Sequence, residues 1–162
     1  MSIEAVKLIA IDVDGTLTDG NYYINEAGDL YKNFFTRDMY AIDQAAKNGF
    51  QIVFVTGSRD RVIYAKVGKK YPILSGCENK FAKLSEYIVE NGLSWEEVAY
   101  IGDAENDHKC IVEAAFSGCP SDAVPEIVEH SVYSSHCPGG KGAVYDVIRY
   151  FYRLRKIPWT LE

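Results

Sequence analysis

Short apolar runs alternate along this chain with segments whose apolar residues recur every three to four positions. The runs at 6–11, 51–55, 73–74 and 98–101 carry no regular polar alternation. Such runs suit strands covered on both faces, the usual state of strands in a parallel sheet. Residues 116–119 and 131–133 read as further strands near the sheet edge. Helical spacing marks 40–47, 61–67, 81–89, 107–115 and 143–153. In the third of these, Phe81, Leu84 and Ile88 form one stripe that faces a core. Strand and helix in alternation predict βαβ units, an α/β fold with a mostly parallel central sheet between helical layers.

One stretch breaks the alternation. Tyr22-Tyr23-Ile24, the polar turn Asn25-Glu26-Ala27-Gly28 and residues 29–35 read as a projecting β-hairpin. It carries Tyr22, Tyr23, Tyr31, Phe34 and Phe35, many aromatics for a surface excursion. Either it packs on its own domain or it offers an apolar patch to another subunit. The second reading is preferred, since large apolar patches mark interaction sites.

Length fits one domain spanning 1–162, with 48% hydrophobic residues to fill a core. The net charge of -6 is wrong for a nucleic-acid surface, which needs a basic stripe. An anionic substrate stays compatible, because a local group of lysines can invert the field of a cleft. There is no basic segment followed by a long apolar one, nor a run long enough to span a bilayer, so a cytoplasmic location is expected. Cys77, Cys110, Cys119 and Cys137 lack the close pairing of zinc ligands and are expected as reduced thiols.

Candidate chemistry falls at the ends of the apolar runs, where open α/β sheets hold their ligands. Asp12 and Asp14 stand two apart after the first run. Paired carboxylates repel unless a cation or shared proton relieves them, although Asp and Gly also form plain turns. One could attack an electrophile while the other carries the leaving group's proton, with Gly15 permitting a tight backbone turn. Thr56-Gly57-Ser58 follows the second run and offers a hydroxyl with free N–H groups to an anion. Lys80 opens a helix on the side of the dipole where acidic residues belong, a placement explained by an anion nearby. In Gly102-Asp103-Ala104-Glu105-Asn106-Asp107, Asp103 suits a hard cation such as Mg²⁺, and Asp107 suits support of Asp103 or of a water.

Taken together, Asp12-Val13-Asp14-Gly15-Thr16, Thr56, Lys80 and Gly102-Asp103-x-x-Asn106-Asp107 resemble the four motifs of the haloacid dehalogenase superfamily of phosphotransferases. Thr18-Asp19-Gly20 before the hairpin, Gly76-x-x-x-Lys80 and Gly139-Gly140-Lys141-Gly142-Ala143-Val144 are similar to the 3-deoxy-D-manno-octulosonate 8-phosphate phosphatases. Sister groups act on nonulosonate 9-phosphates or form the C-terminal part of acylneuraminate cytidylyltransferases. The resemblance implies a Rossmann-like three-layer sandwich. The intervals from Asp12 to Thr56 and from Thr56 to Lys80 leave no room for a separate cap domain.

It further implies a Mg²⁺-dependent phosphomonoesterase acting on a phosphorylated sugar acid through an aspartyl-phosphate. Asp12 would be the nucleophile and Asp14 the acid and base. Thr56, Gly57 and Lys80 would bind phosphate, and Asp12, the Asp14 carbonyl and Asp103 would hold the metal. Asp107 and Asn106 would lie behind them. A homotetramer joined through the hairpins would close the capless site. The family often carries Arg where this chain has Ser58 and Lys66, which makes both candidate substrate residues. Arg grips a carboxylate at two points and Lys does not. Met39 likewise stands after Asp38 where Gly is common. Two other readings are a non-catalytic assembly domain and a phosphoaspartate receiver. The first has no reason to keep four charges together, and the second does not need the paired Asp12 and Asp14.

Overall fold

The computed structural model describes residues 2–159. Its strands are β1 (Leu8–Asp12), β2 (Tyr23–Ile24), β3 (Leu30–Tyr31), β4 (Gln51–Val55), β5 (Ile73–Leu74), β6 (Val98–Ile101), β7 (Phe116–Cys119) and β8 (Tyr133–Ser134). Its helices are α1 (Thr36–Lys47), α2 (Val62–Val67), α3 (Lys80–Glu90), α4 (His108–Glu113), α5 (Pro125–His130) and α6 (Ala143–Leu154). Six strands form one parallel sheet in the order β5-β4-β1-β6-β7-β8. The order reverses around β1, so β4 and β6 flank it, and their carboxyl ends open a crevice of the kind that binds ligands.

Both faces of the sheet are covered, which explains the unbroken apolar runs. Ile9 and Ile11 of β1 pack under α1, α2 and α6 with Ile42, Ile63, Val147 and Phe151. Leu8 and Ala10 point the other way, into Leu84, Ile88, Ile111 and Ile127 from α3, α4 and α5. Each large side chain so enclosed contributes roughly 1.5–3 kcal/mol. The result is the three-layer sandwich expected from the sequence.

Boundaries differ in instructive places. Asp12 is the last paired residue of β1, opposite Val55, rather than lying beyond the strand. Helix α1 starts at Thr36 instead of residue 40, directly after the hairpin. The six-residue α5 was not expected; it is too short to show a period and is announced only by Pro125 at its first turn. The last strand lies at Tyr133–Ser134, not 131–133. The hairpin pairs only two residues on each side, Tyr23 with Tyr31 and Ile24 with Leu30. Its turn is held by Asn25 Oδ1, which accepts the N–H groups of Ala27 (3.0 Å) and Asp29 (2.8 Å). Tyr22, Tyr23, Ile24 and Tyr31 are all exposed.

Asp38 joins α1 to α6. Its carboxylate is buried and accepts the N–H groups of Gly142 (3.2 Å) and Tyr145 (2.8 Å) at the start of α6. Burial raises its pKa to about 6, against the opposing pull of these backbone donors. A raised carboxyl pKa means that the folded state binds the proton more tightly than the unfolded chain. This residue's contribution to stability is therefore greatest below the unfolded value and is lost as pH rises towards 6. The gap of about two pH units corresponds to about 3 kcal/mol. In urea unfolding across pH 4 to 6.5, Asp38→Asn should show a decline in stability shallower than wild type by about that amount. Parallel curves would remove Asp38 from the pH dependence.

Candidate active site

The strand order places Asp12, Thr56 and the Gly102-Asp103 pair side by side, because they end or follow the adjacent strands β1, β4 and β6. After Asp12 the backbone makes a wide turn through residues 13–17, closed by a hydrogen bond from Thr18 N–H to the Val13 carbonyl (2.9 Å). Gly15 takes φ +95° inside it. A Cβ at Gly15 would stand 2.2 Å from Asp103 Oδ2, so the turn lies against the Asp103 carboxyl with no space for a side chain. Thr16 completes the contact, its hydroxyl donating to Asp103 Oδ1 at 2.9 Å. Behind the turn, Gly139 presses on the Gly15 carbonyl so closely that a Cβ there would sit 1.9 Å from it.

Lys80 projects from the first residue of α3, whose N-cap Asn79 accepts the Ala82 N–H. Its buried ammonium donates to Asp12 Oδ1 (2.5 Å) and Asp107 Oδ1 (2.8 Å). Asp107 is fully buried and saturated. It also accepts from the Tyr100 hydroxyl (2.6 Å) and from the N–H groups of Asp103 and Ala104, each at 3.1 Å. Asp12 Oδ2, by contrast, is buried with no hydrogen-bond partner among the described residues.

One ammonium cannot balance three carboxylates. Burial, followed by the charge of Asp107, drives the Asp12 carboxyl well above the ordinary range, with Lys80 pulling the other way. Burial likewise raises Asp103. Burial also works against the charge on Lys80, but Asp12 and Asp107 outweigh it and hold its pKa above that of a free lysine. One oxygen from each of Asp12, Asp103 and Asp107 lies within 4.8 Å of the others. An orphaned carboxylate oxygen beside a second carboxylate fits a hard divalent cation, which takes oxygen ligands and retains waters. Asp107, its lone pairs already engaged, serves as the clamp that holds Lys80 and the Asp103 backbone.

Asp14 stands two residues beyond Asp12, inside the turn. Its Oδ2 accepts a long hydrogen bond from the Thr56 hydroxyl (3.4 Å), and its Oδ1 accepts from Lys32 (2.5 Å). Lys32 also donates to Asp60 Oδ2 at 2.6 Å, and Ser58 donates to the same Asp60 oxygen. Thr56 Oγ1 accepts the Ser58 N–H at 3.0 Å. Burial works against the charge on Lys32, but the two carboxylates outweigh it and raise its pKa. Asp12, Asp14, Thr56, Gly57, Ser58, Lys80 and Asn106 line one cleft of about 300 Å³ with Tyr22 and Ala104. Asn106, expected behind the ligands, thus lies at the cleft wall. Lys66 is exposed on α2 and does not line the cleft, so it is the one candidate that the fold does not bring to the others.

Lys32, Asp60, Tyr22 and Tyr100 were not anticipated. Lys32 and Tyr22 sit on the hairpin, which no strand-end rule flags. The only local sign of Lys32 was a cation set between Tyr31 and Phe34 in an aromatic segment.

No family model matches the chain. It is 31% identical over 147 residues to the 3-deoxy-D-manno-octulosonate 8-phosphate phosphatase KdsC of Salmonella typhi, an alignment covering 89% of this chain and 78% of that protein. It is also 31% identical over 156 residues to N-acylneuraminate cytidylyltransferase A of Danio rerio, spanning 94% of this chain but only 36% of the longer relative. A solved 3-deoxy-D-manno-octulosonate 8-phosphate phosphatase from Moraxella catarrhalis, in complex with magnesium, phosphate and KDO, superposes with a TM-score of 0.86 at 27% identity. That match covers 93% of this chain and 88% of the other.

The contact between Gly15 and Asp103 gives a direct test. If the acidic cluster holds a divalent cation, Gly15→Ala should weaken that binding, titrated by calorimetry with Mg²⁺ as the probe, by about 10–100-fold, the range that follows when the support of a metal ligand is disturbed. Unchanged affinity would detach Asp103 from the metal site.

Proposed function

The chain belongs to the 3-deoxy-D-manno-octulosonate 8-phosphate phosphatases of the haloacid dehalogenase superfamily, and from this premise we propose a Mg²⁺-dependent phosphomonoesterase of the cytoplasm. Its substrate is a phosphorylated sugar acid, either 3-deoxy-D-manno-octulosonate 8-phosphate or a nonulosonate 9-phosphate. The observation that carries the reading is the unpartnered Oδ2 of Asp12, buried beside Asp103 and fixed from behind by Lys80.

In this reading Asp12 and Asp103 would hold Mg²⁺ through carboxylate oxygens, and Asp14 would do so through its backbone carbonyl. When bound, the ion would supply positive charge that offsets the carboxylates and the developing charge of the phosphoryl group. Asp12 attacks phosphorus; its new O–P bond forms as the bond from phosphorus to the sugar oxygen breaks, giving an aspartyl-phosphate. Asp14 gives a proton to the departing oxygen and then takes one from the water that cleaves the intermediate. Thr56, the Gly57 N–H and Lys80 cradle the equatorial oxygens. Phosphoryl transfer asks for little more than alignment and charge stabilisation.

The described residues form no cap over the cleft, and in this reading neighbouring chains supply the remaining enclosure. The exposed Tyr22, Tyr23, Ile24 and Tyr31 support a homotetramer joined through the hairpins, with Tyr22 at the cleft wall. Light scattering at micromolar concentration should give the mass of four chains, and the mass of one chain would end this part of the reading.

Purified protein should release phosphate from p-nitrophenyl phosphate only with Mg²⁺, and Asp12→Asn should abolish turnover. Asp14→Asn should lose about 10²–10⁴-fold, the usual share of one general acid or base, while keeping most of its metal affinity. Wild-type turnover in either variant would overturn the mechanism. A panel of eight- and nine-carbon keto acid phosphates, compared by kcat/KM, tests the substrate class.

A further inference from the structure

Resting on the phosphatase reading, we infer that Lys32 of the hairpin is a positioning residue for Asp14, and that Asp60 is the anchor that fixes Lys32. The side chain of Lys32 is 2% exposed although it comes from the least buried part of the fold, where Tyr22, Ile24 and Tyr31 stand in the open. Burying an ammonium is costly unless its hydrogen bonds are met, and among the described residues Asp14 and Asp60 meet them.

The geometry gives this ion pair a purpose beyond cohesion. A carboxyl rotates easily about its last torsion, which is broad and two-fold. A single anchor on one oxygen therefore decides where the other points. Lys32 takes Oδ1 of Asp14, leaving Oδ2 beside the Thr56 hydroxyl and the cleft. Asp60 is in turn fixed by the Ser58 hydroxyl and by its own acceptance of the Val62 N–H at 3.1 Å. The chain of contacts thus runs from the start of α2 through Asp60 and Lys32 to the carboxyl that handles the proton. Small misplacements of a catalytic group, of about 1 Å, can cost 10²-fold in rate.

A positioning role and a merely structural one separate by leaving group. The p-nitrophenolate ion departs without a proton, whereas phenolate departs far more readily when one is supplied. Moreover, kcat/KM covers the steps up to departure of the leaving group and excludes hydrolysis of the intermediate. Wild type, Lys32→Met, Lys32→Arg and Asp60→Asn should be compared on p-nitrophenyl, p-chlorophenyl and phenyl phosphate with Mg²⁺ present. For Lys32→Met, the loss in kcat/KM on phenyl phosphate should exceed that on p-nitrophenyl phosphate by at least tenfold. Lys32→Arg should recover part of the difference, and Asp60→Asn should show the same pattern more weakly.

Equal losses on all three esters, with or without a lower melting temperature, would overturn the inference, as would no loss at all. A wild-type protein that hydrolyses none of the three would instead overturn the proposed function, and the inference with it.

Discussion

An excess of buried negative charge at the carboxyl edge of the sheet governs this structure. Asp12, Asp103 and Asp107 converge where two neighbouring strands, β1 and β6, end, and Lys80 is the ammonium set among them. Two charges of one sign in a low-dielectric interior repel strongly, and burial adds its own penalty. Asp107 escapes by accepting four hydrogen bonds, whereas Asp12 keeps one oxygen with none. The fold holds a carboxylate in a state that only an added cation or proton relieves. Such a site is costly as architecture and useful as chemistry.

The surrounding backbone is shaped to keep that arrangement from relaxing. Gly15 removes the one Cβ that would push Asp103 away, and Gly139 lets a distant loop brace the same turn. Asp38 then ties the start of α6, which directly follows that loop, to α1. Glycines and a buried carboxylate therefore do for the turn what apolar packing does for the sheet. They limit movement where a side chain would fill the site or a free loop would open it.

Much of this was legible in the sequence for one physical reason. A parallel sheet forces its strands to read as apolar runs, and the residues at the run ends inherit a shared edge. Asp12, Thr56 and Asp103 could be placed together on that logic alone, and Lys80 through its odd position in a helix first turn. What could not be read depends on side chains reaching across elements with no periodic relation. Lys32 meets Asp14 and Asp60 from a hairpin whose paired strands are two residues long. Helix α5 is too short for a pattern, and Lys66, plausible by alignment, faces solvent because α2 turns it outward.

The two lysines divide the cleft into halves built on one plan. Each ammonium is shared by a carboxylate facing the cleft and one standing behind it: Lys80 by Asp12 and Asp107, Lys32 by Asp14 and Asp60. The halves differ in their access to water. The Asp12 side chain is 3% exposed and that of Asp107 0%, whereas Asp14 reaches 30% and Asp60 16%. Ion pairs deep in the interior are screened least and move least, while those at the edge are softened by solvent. In the proposed mechanism the nucleophile has to hold its place, which the interior clamp does, while the charge on Asp12, opposed by burial and by Asp107, waits on the cation. A group that gives and then takes a proton has to exchange with water, and the clamp at the cleft wall leaves it that freedom.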